Sequence, residues 1–190
     1  MRKLLLSAAG LMAVSLSAQQ GSKDPSDDPT TKEIRQEFYA VTNNIRRAAD
    51  AMPEDQYSFR PAENTRSFGE LLLHVADVQF HICHTMLRDR KPLKVPVASP
   101  ASKAQVKAAV AASFDECYEA FSELSAQNKD AIVETPTGRQ SELAALTMVL
   151  GHDNEEYGYM AVYLRLKGLV PPSSSNMPLK EYTGQPKQPR

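Results

Sequence analysis

The stretch VLGHDNEEYGYMAVYLRLKG, Val149 to Gly168, decides how this chain is read. At about 100° per residue it makes one amphipathic helix. Val149, His152, Glu156, Tyr159, Met160 and Tyr163 fall on one side, and Asn154, Gly158 and Arg165 on the other. His152 and Glu156 therefore stand one turn apart, near the middle of the apolar stripe. A bare carboxylate in that position costs several kcal/mol of desolvation unless a proton, a positive partner or a metal ion offsets it. Two ligands at i, i+4 lie about 6 Å apart along the axis on one side, which suits one metal ion with a third ligand from a facing helix. A hydrogen-bonded histidine–carboxylate pair without metal satisfies the same spacing.

Working outward, Ser141 caps this last helix, and Gly168 followed by Pro171 and Pro172 ends it. Three more segments repeat the helical period. Thr30 or Thr31 can cap the first, whose stripe is Ile34, Phe38, Val41, Ile45, Ala49 and Met52, before Pro53 stops it. Ser67 caps the second, with Glu70 at the capping-box spacing. Its stripe is Phe68, Leu71, Val75, Val78, Ile82 and Met86, with His74 at the edge and Asp77, His81, His84 and Arg88 toward the polar side. Ser102 opens the third, with Val106, Val110, Ser113, Phe114, Cys117, Phe121 and Leu124. Ala126 to Gln140 reads as a polar loop, and no segment shows a period-two run. The chain is therefore expected to be all-α: a four-helix bundle over 31–170, with Lys91 to Pro100 as a long crossover that leaves helices two and three roughly parallel. His74 is the leading third ligand if helices two and four run parallel; His81 or His84 is better placed if they run antiparallel.

Ahead of the bundle, Arg2 and Lys3 precede an apolar run, Leu4 to Leu16, and small residues up to Ala18. That is the layout of a secretory signal peptide over 1–18, cleaved after Ala18, although an uncleaved anchor is the alternative. Residues 19–30 read as a disordered linker and 171–190 as a Pro-, Ser- and Lys-rich tail. Export implies a periplasmic or secreted protein with no membrane attachment after cleavage. The balance of 22 basic and 23 acidic residues, net charge −1, includes no basic patch and argues against nucleic acid as a partner. No glycine-rich phosphate loop supports a nucleotide cofactor. The two cysteines, Cys83 and Cys117, are permitted a bridge by export, but Cys83 falls opposite the apolar stripe of its helix and the pairing stays open.

The segments SFGELLLHVADVQ (67–79) and HDNEEYGYMAVYLRLKGLVPPSS (152–174) resemble the DinB family, also called DinB-like or YfiT-like metalloenzymes. MPEDQYSFRPAENTRSFGELLLH (52–74) is similar to a subgroup within it. The likeness runs from about Thr31 to about Ser173. It implies a four-helix bundle with a long crossover and a site of three histidines, one from helix two and two at i, i+4 in the last helix. The first two match His74 and His152. The third falls on Glu156, a departure that gives two histidines and one carboxylate, a set suited to zinc, iron, nickel or manganese. The resemblance implies a metal-dependent hydrolase or thiol transferase acting on a small molecule. Alternatives are a bundle that binds metal or ligand without turnover, and a metal-free structural member. Asp77, Glu155 and Tyr159 are candidates for supporting positions around the ligands, and a homodimer is left open.

Overall fold

The computed structural model describes residues 28–87 and 101–175. The expected signal peptide, residues 19–27 of the linker, Arg88, the crossover 91–100 and 176–190 lie outside them. Four helices carry the fold: α1, Pro29–Ala51; α2, Phe68–Met86; α3, Lys103–Glu123; and α4, Glu142–Leu166. None of the described helices is long and apolar enough to cross a membrane.

The starts of these helices follow from capping chemistry. Ser67 accepts from the Glu70 amide while the Glu70 side chain returns to the Ser67 amide, closing the expected box. Ser102 and Gln105 do the same for α3, and Ser141 accepts from the Ala144 amide at α4. At α1 the expectation is corrected. The cap is Asp28, which accepts from the Thr31 amide at 3.0 Å, and Thr30 and Thr31 lie inside the first turn. Pro29 is tolerated at the first helical position because its missing N–H would have no partner there. The Asp28 carboxylate is held in turn by Lys129, 2.7 Å away.

Helix directions can be read from the contacts that join them. Arg35 of α1 donates to the carbonyls of Phe121 and Leu124, while Lys103 donates to Met52, so α1 and α3 are antiparallel. Leu73 and Val106 line one cavity, and Cys83 and Cys117 are joined further along, so α2 and α3 are parallel, as expected. Tyr163 donates to the Arg66 carbonyl at the start of α2, and Gln79 reaches Asp153, so α4 runs antiparallel to α2.

The core is built on Phe38, Ile45, Met52, Phe68, Leu72, Phe114, Phe121, Leu146, Met160 and Leu164, all essentially without solvent contact. Phe38 stacks on Phe121 with ring centroids 4.0 Å apart. The stripes expected for α1 and α3 are the faces that the bundle buries. On α2 the burial is wider. Leu72, Leu73, Ala76, Phe80 and Cys83 are covered as well, because α2 packs against α3 on one side and α4 on the other. Cys83 is therefore interior, and it forms a disulfide with Cys117 that ties α2 to α3.

Two local features depart from the expected loop and tail. From the expected loop 126–140 into Ser141 runs an antiparallel hairpin, β1 (Ile132–Thr135) and β2 (Gly138–Ser141), in register Ile132↔Ser141. Its strands are short and largely exposed, so no alternation of apolar residues announces them. The turn is made by Pro136 and Thr137, with Gly138 at φ 112°, a conformation that favours glycine. After α4, residues 171–175 fold back instead of hanging free. The Ser173 amide donates to the Tyr157 hydroxyl at 2.8 Å, and Arg47 of α1 reaches Ser175.

Candidate metal centre

The site forms where the middle of α4 crosses α2. His74 is the seventh residue of α2, and His152 the eleventh of α4. With Tyr163 opposite the start of α2, an antiparallel α4 brings residues 152–156 level with His74. The expectation that an antiparallel pair would favour His81 or His84 is thus corrected. His152 lies ten residues into the 25-residue α4, near its middle, so an antiparallel α4 still sets it level with His74, six residues into α2. His81 faces Asp77 on its own helix, with Nδ1–Oδ1 3.3 Å, and His84 faces the buried Glu116 of α3 at 3.1 Å.

The Nε2 atoms of His74 and His152 lie 3.2 Å apart, and each is 3.8 Å from Oε1 of Glu156. One ligand atom from each of the three residues falls within 4.8 Å of the others, the one such cluster of three among the described residues. Three donors about 2.1 Å from a common tetrahedral centre would stand about 3.4 Å apart, so the spacing fits a single cation. Glu156 is buried, and its Oε2 has no hydrogen-bond partner. Burial raises its carboxyl pKa, with the charges of His152 and Arg66 pulling the other way. His74 is about a quarter exposed. Burial, then the nearby Arg66 charge and His152, push its imidazole below the usual histidine range, which favours the neutral form that ligates metals.

Behind His152 lies a pair of residues that the helical projection did not single out. Asp153 has no solvent exposure, and its Oδ2 accepts from the Gln79 amide at 2.6 Å. Its Oδ1 stands 3.6 Å from Nδ1 of His152, and both of these atoms are buried without a hydrogen bond. Burial raises the Asp153 carboxyl pKa, offset in part by His152 and the Gln79 amide. A carboxylate behind the non-ligating nitrogen is the usual device that fixes a ligand histidine's orientation. The signal was adjacency. Asp153 follows His152 directly, and the buried arc of α4 runs through Val149, Asp153, Glu156, Tyr157, Met160 and Leu164.

The supporting positions read from sequence bond to other partners, while the charges of Asp77 and Glu155 reach His74. Asp77 is directed to His81. Glu155 is exposed and accepts from the Tyr159 hydroxyl at 2.8 Å, which raises the tyrosine pKa. Tyr159 is 47% exposed, a correction to the projected stripe. It sits about 60° round the helix from Glu156, and the packing leaves that edge open.

A helical bundle with a parallel central pair and a two-histidine, one-carboxylate cluster between α2 and α4 defines the class. The chain belongs to the DinB superfamily, whose profile matches residues 37–160. It is similar in fold to a DinB-like protein from Bacillus cereus, at 18% identity and TM-score 0.64 over 74% of this chain and 95% of that one. A DinB-like protein from Bacillus subtilis is similar at 16% identity and TM-score 0.57, over 79% of this chain and 97% of that one. No curated protein matches the sequence.

Proposed function

We propose that this DinB-superfamily bundle holds one divalent cation through His74, His152 and Glu156 and serves metal-assisted hydrolysis or thiol transfer on a small molecule. The observation that carries the reading is the convergence of the three donor atoms from two helices within 4.8 Å. Two imidazoles and a carboxylate suit zinc, nickel, iron or manganese. When bound, such an ion supplies Lewis acidity and lowers the pKa of a coordinated water or thiol.

The chain's own residues prepare the rest. His74 and Glu156 set one edge of the site, with His74 open enough for a small molecule to approach. Asp153, held by Gln79, keeps a carboxylate oxygen 3.6 Å behind Nδ1 of His152, within a small shift of a hydrogen bond that would fix the ring. The Arg66 charge offsets part of the cost of burying the Glu156 carboxylate. Three protein ligands leave a position for substrate, which is the arrangement of a reactive centre more than a closed structural one. Export to the periplasm or the outside is part of the proposal. The disulfide between Cys83 and Cys117 supports it, because such bridges persist in oxidising compartments.

Elemental analysis of protein dialysed after purification tests the reading. About one equivalent of metal per chain, lost in H152A, is expected. A metal content near zero that reconstitution with zinc, nickel, iron or manganese does not change would end it.

A further inference from the structure

Beside the cluster, one turn further along both helices, lies a groove of about 870 Å³. Leu71 on α2 is three residues before His74, and Tyr159 on α4 is three residues after Glu156, so each stands about 4.5 Å along its axis from the cluster. Val162 and Tyr159 line the groove with half of their surface uncovered. Three charged groups face it: Arg60, Glu63 and Arg66. Arg60 is committed, donating to Glu70 at 2.7 Å and to the Thr65 carbonyl. Glu63 is exposed, at the outer rim. The Arg66 side chain makes no hydrogen bond or ion pair with any described residue, yet its charge is felt at both His74 and Glu156. Its backbone is fixed by the Tyr163 hydroxyl, which donates to the Arg66 carbonyl at 2.7 Å.

We infer that this groove binds a small organic anion, its carboxylate or phosphate taken by Arg66 and its apolar body lying on Leu71, Tyr159 and Val162. The inference deepens the metal-centre reading and rests on it for the site's purpose, by assigning the class of molecule presented to the cluster. A planar guanidinium pairs two oxygens of such an anion at once, which a single ammonium does not. Exposed aromatic and branched side chains beside it give the apolar part a surface that water leaves readily. A ligand seated there has its anionic end at Arg66 and its body on Leu71, Tyr159 and Val162, about one turn of α4 from Glu156.

The test is binding of three probes, benzoate, phenyl phosphate and benzyl alcohol, to the full chain, followed by amide chemical shifts in metal-free and zinc-loaded protein. The expected result is binding of benzoate or phenyl phosphate roughly tenfold tighter than of the alcohol, with shifts at Leu71, Tyr159 and Val162. That preference should persist without zinc, vanish in R66Q and return in part in R66K. Equal binding of anion and alcohol, or an unchanged preference in R66Q, would overturn the inference. Anion binding that survives only with zinc would also overturn it, placing the anion on the metal. Because zinc uptake is scored separately, loss of the metal reading with the Arg66 effect intact is distinguishable from loss of the groove.

Discussion

At the scale of single residues, the account depends on three side chains acting as ligands and one acting behind them. H74A and E156A should each abolish measurable zinc binding by calorimetry while leaving the far-ultraviolet helical signal unchanged. D153N keeps the shape but removes the carboxylate from behind His152. Its zinc affinity should fall by about 10–100-fold, the usual effect of losing such a partner; an unchanged affinity would remove Asp153 from the site. E156H should bind zinc more tightly than the native chain, because a third imidazole suits zinc better than a carboxylate whose charged form burial disfavours. A separate residue-level effect lies at the bundle end. The Lys129 side chain and the Thr31 amide hold the Asp28 carboxyl below its ordinary value of 3.8. A depressed carboxyl pKa contributes stability that is present above the ordinary value and is lost as pH falls through the folded one. The melting temperature should therefore drop as the pH is lowered below about 4, and D28N, which can still cap α1, should show a shallower drop. Parallel curves for the two proteins would exclude this contribution.

At the scale of elements, α2 is the pivot, joined covalently to α3 and by polar groups to α4. The bridge from Cys83 to Cys117 spans 34 residues. Closing a loop of that size restricts the unfolded chain by about 3–4 kcal/mol. Replacing both cysteines by serine should lower the melting temperature by about 8–15 °C, read by calorimetry; a shift under 2 °C would show that helix packing alone holds the pair. Much of this level was legible. The stripes of α1 and α3, the caps at Ser67, Ser102 and Ser141, and the parallel pairing implied by a long crossover follow from period and capping chemistry. What was not legible has physical reasons. The hairpin is held by backbone pairing at the surface, so its residues carry no apolar alternation. The burial of Cys83 depends on α2 having neighbours on two sides, which a single projected stripe does not convey. The level of His74 with His152 depends on which residue of α4 lies opposite the start of α2, and the Tyr163–Arg66 contact that sets it leaves no mark in the period of either helix.

At the scale of the molecule, family membership and fold establish a DinB-superfamily bundle, and a cation held by the cluster between α2 and α4, as proposed, would link metal occupancy to folding. Binding that is confined to the folded state raises stability by about 2.7 kcal/mol when free metal stands at a hundred times its dissociation constant. Zinc should therefore raise the melting temperature of the native chain by several degrees and leave that of H152A unmoved; equal shifts would indicate adventitious binding elsewhere. The identity of Glu156 was legible as a departure from three histidines. Its role was legible only as a choice between a ligand and a paired carboxylate, since spacing along α4 says nothing of what α2 brings opposite. The most direct measurement is the metal stoichiometry of the native chain beside that of H152A and E156A, purified from the same cells. The account predicts about one divalent ion per chain in the first and almost none in the other two. Equal metal content in all three, or none in the native chain after reconstitution, would contradict it.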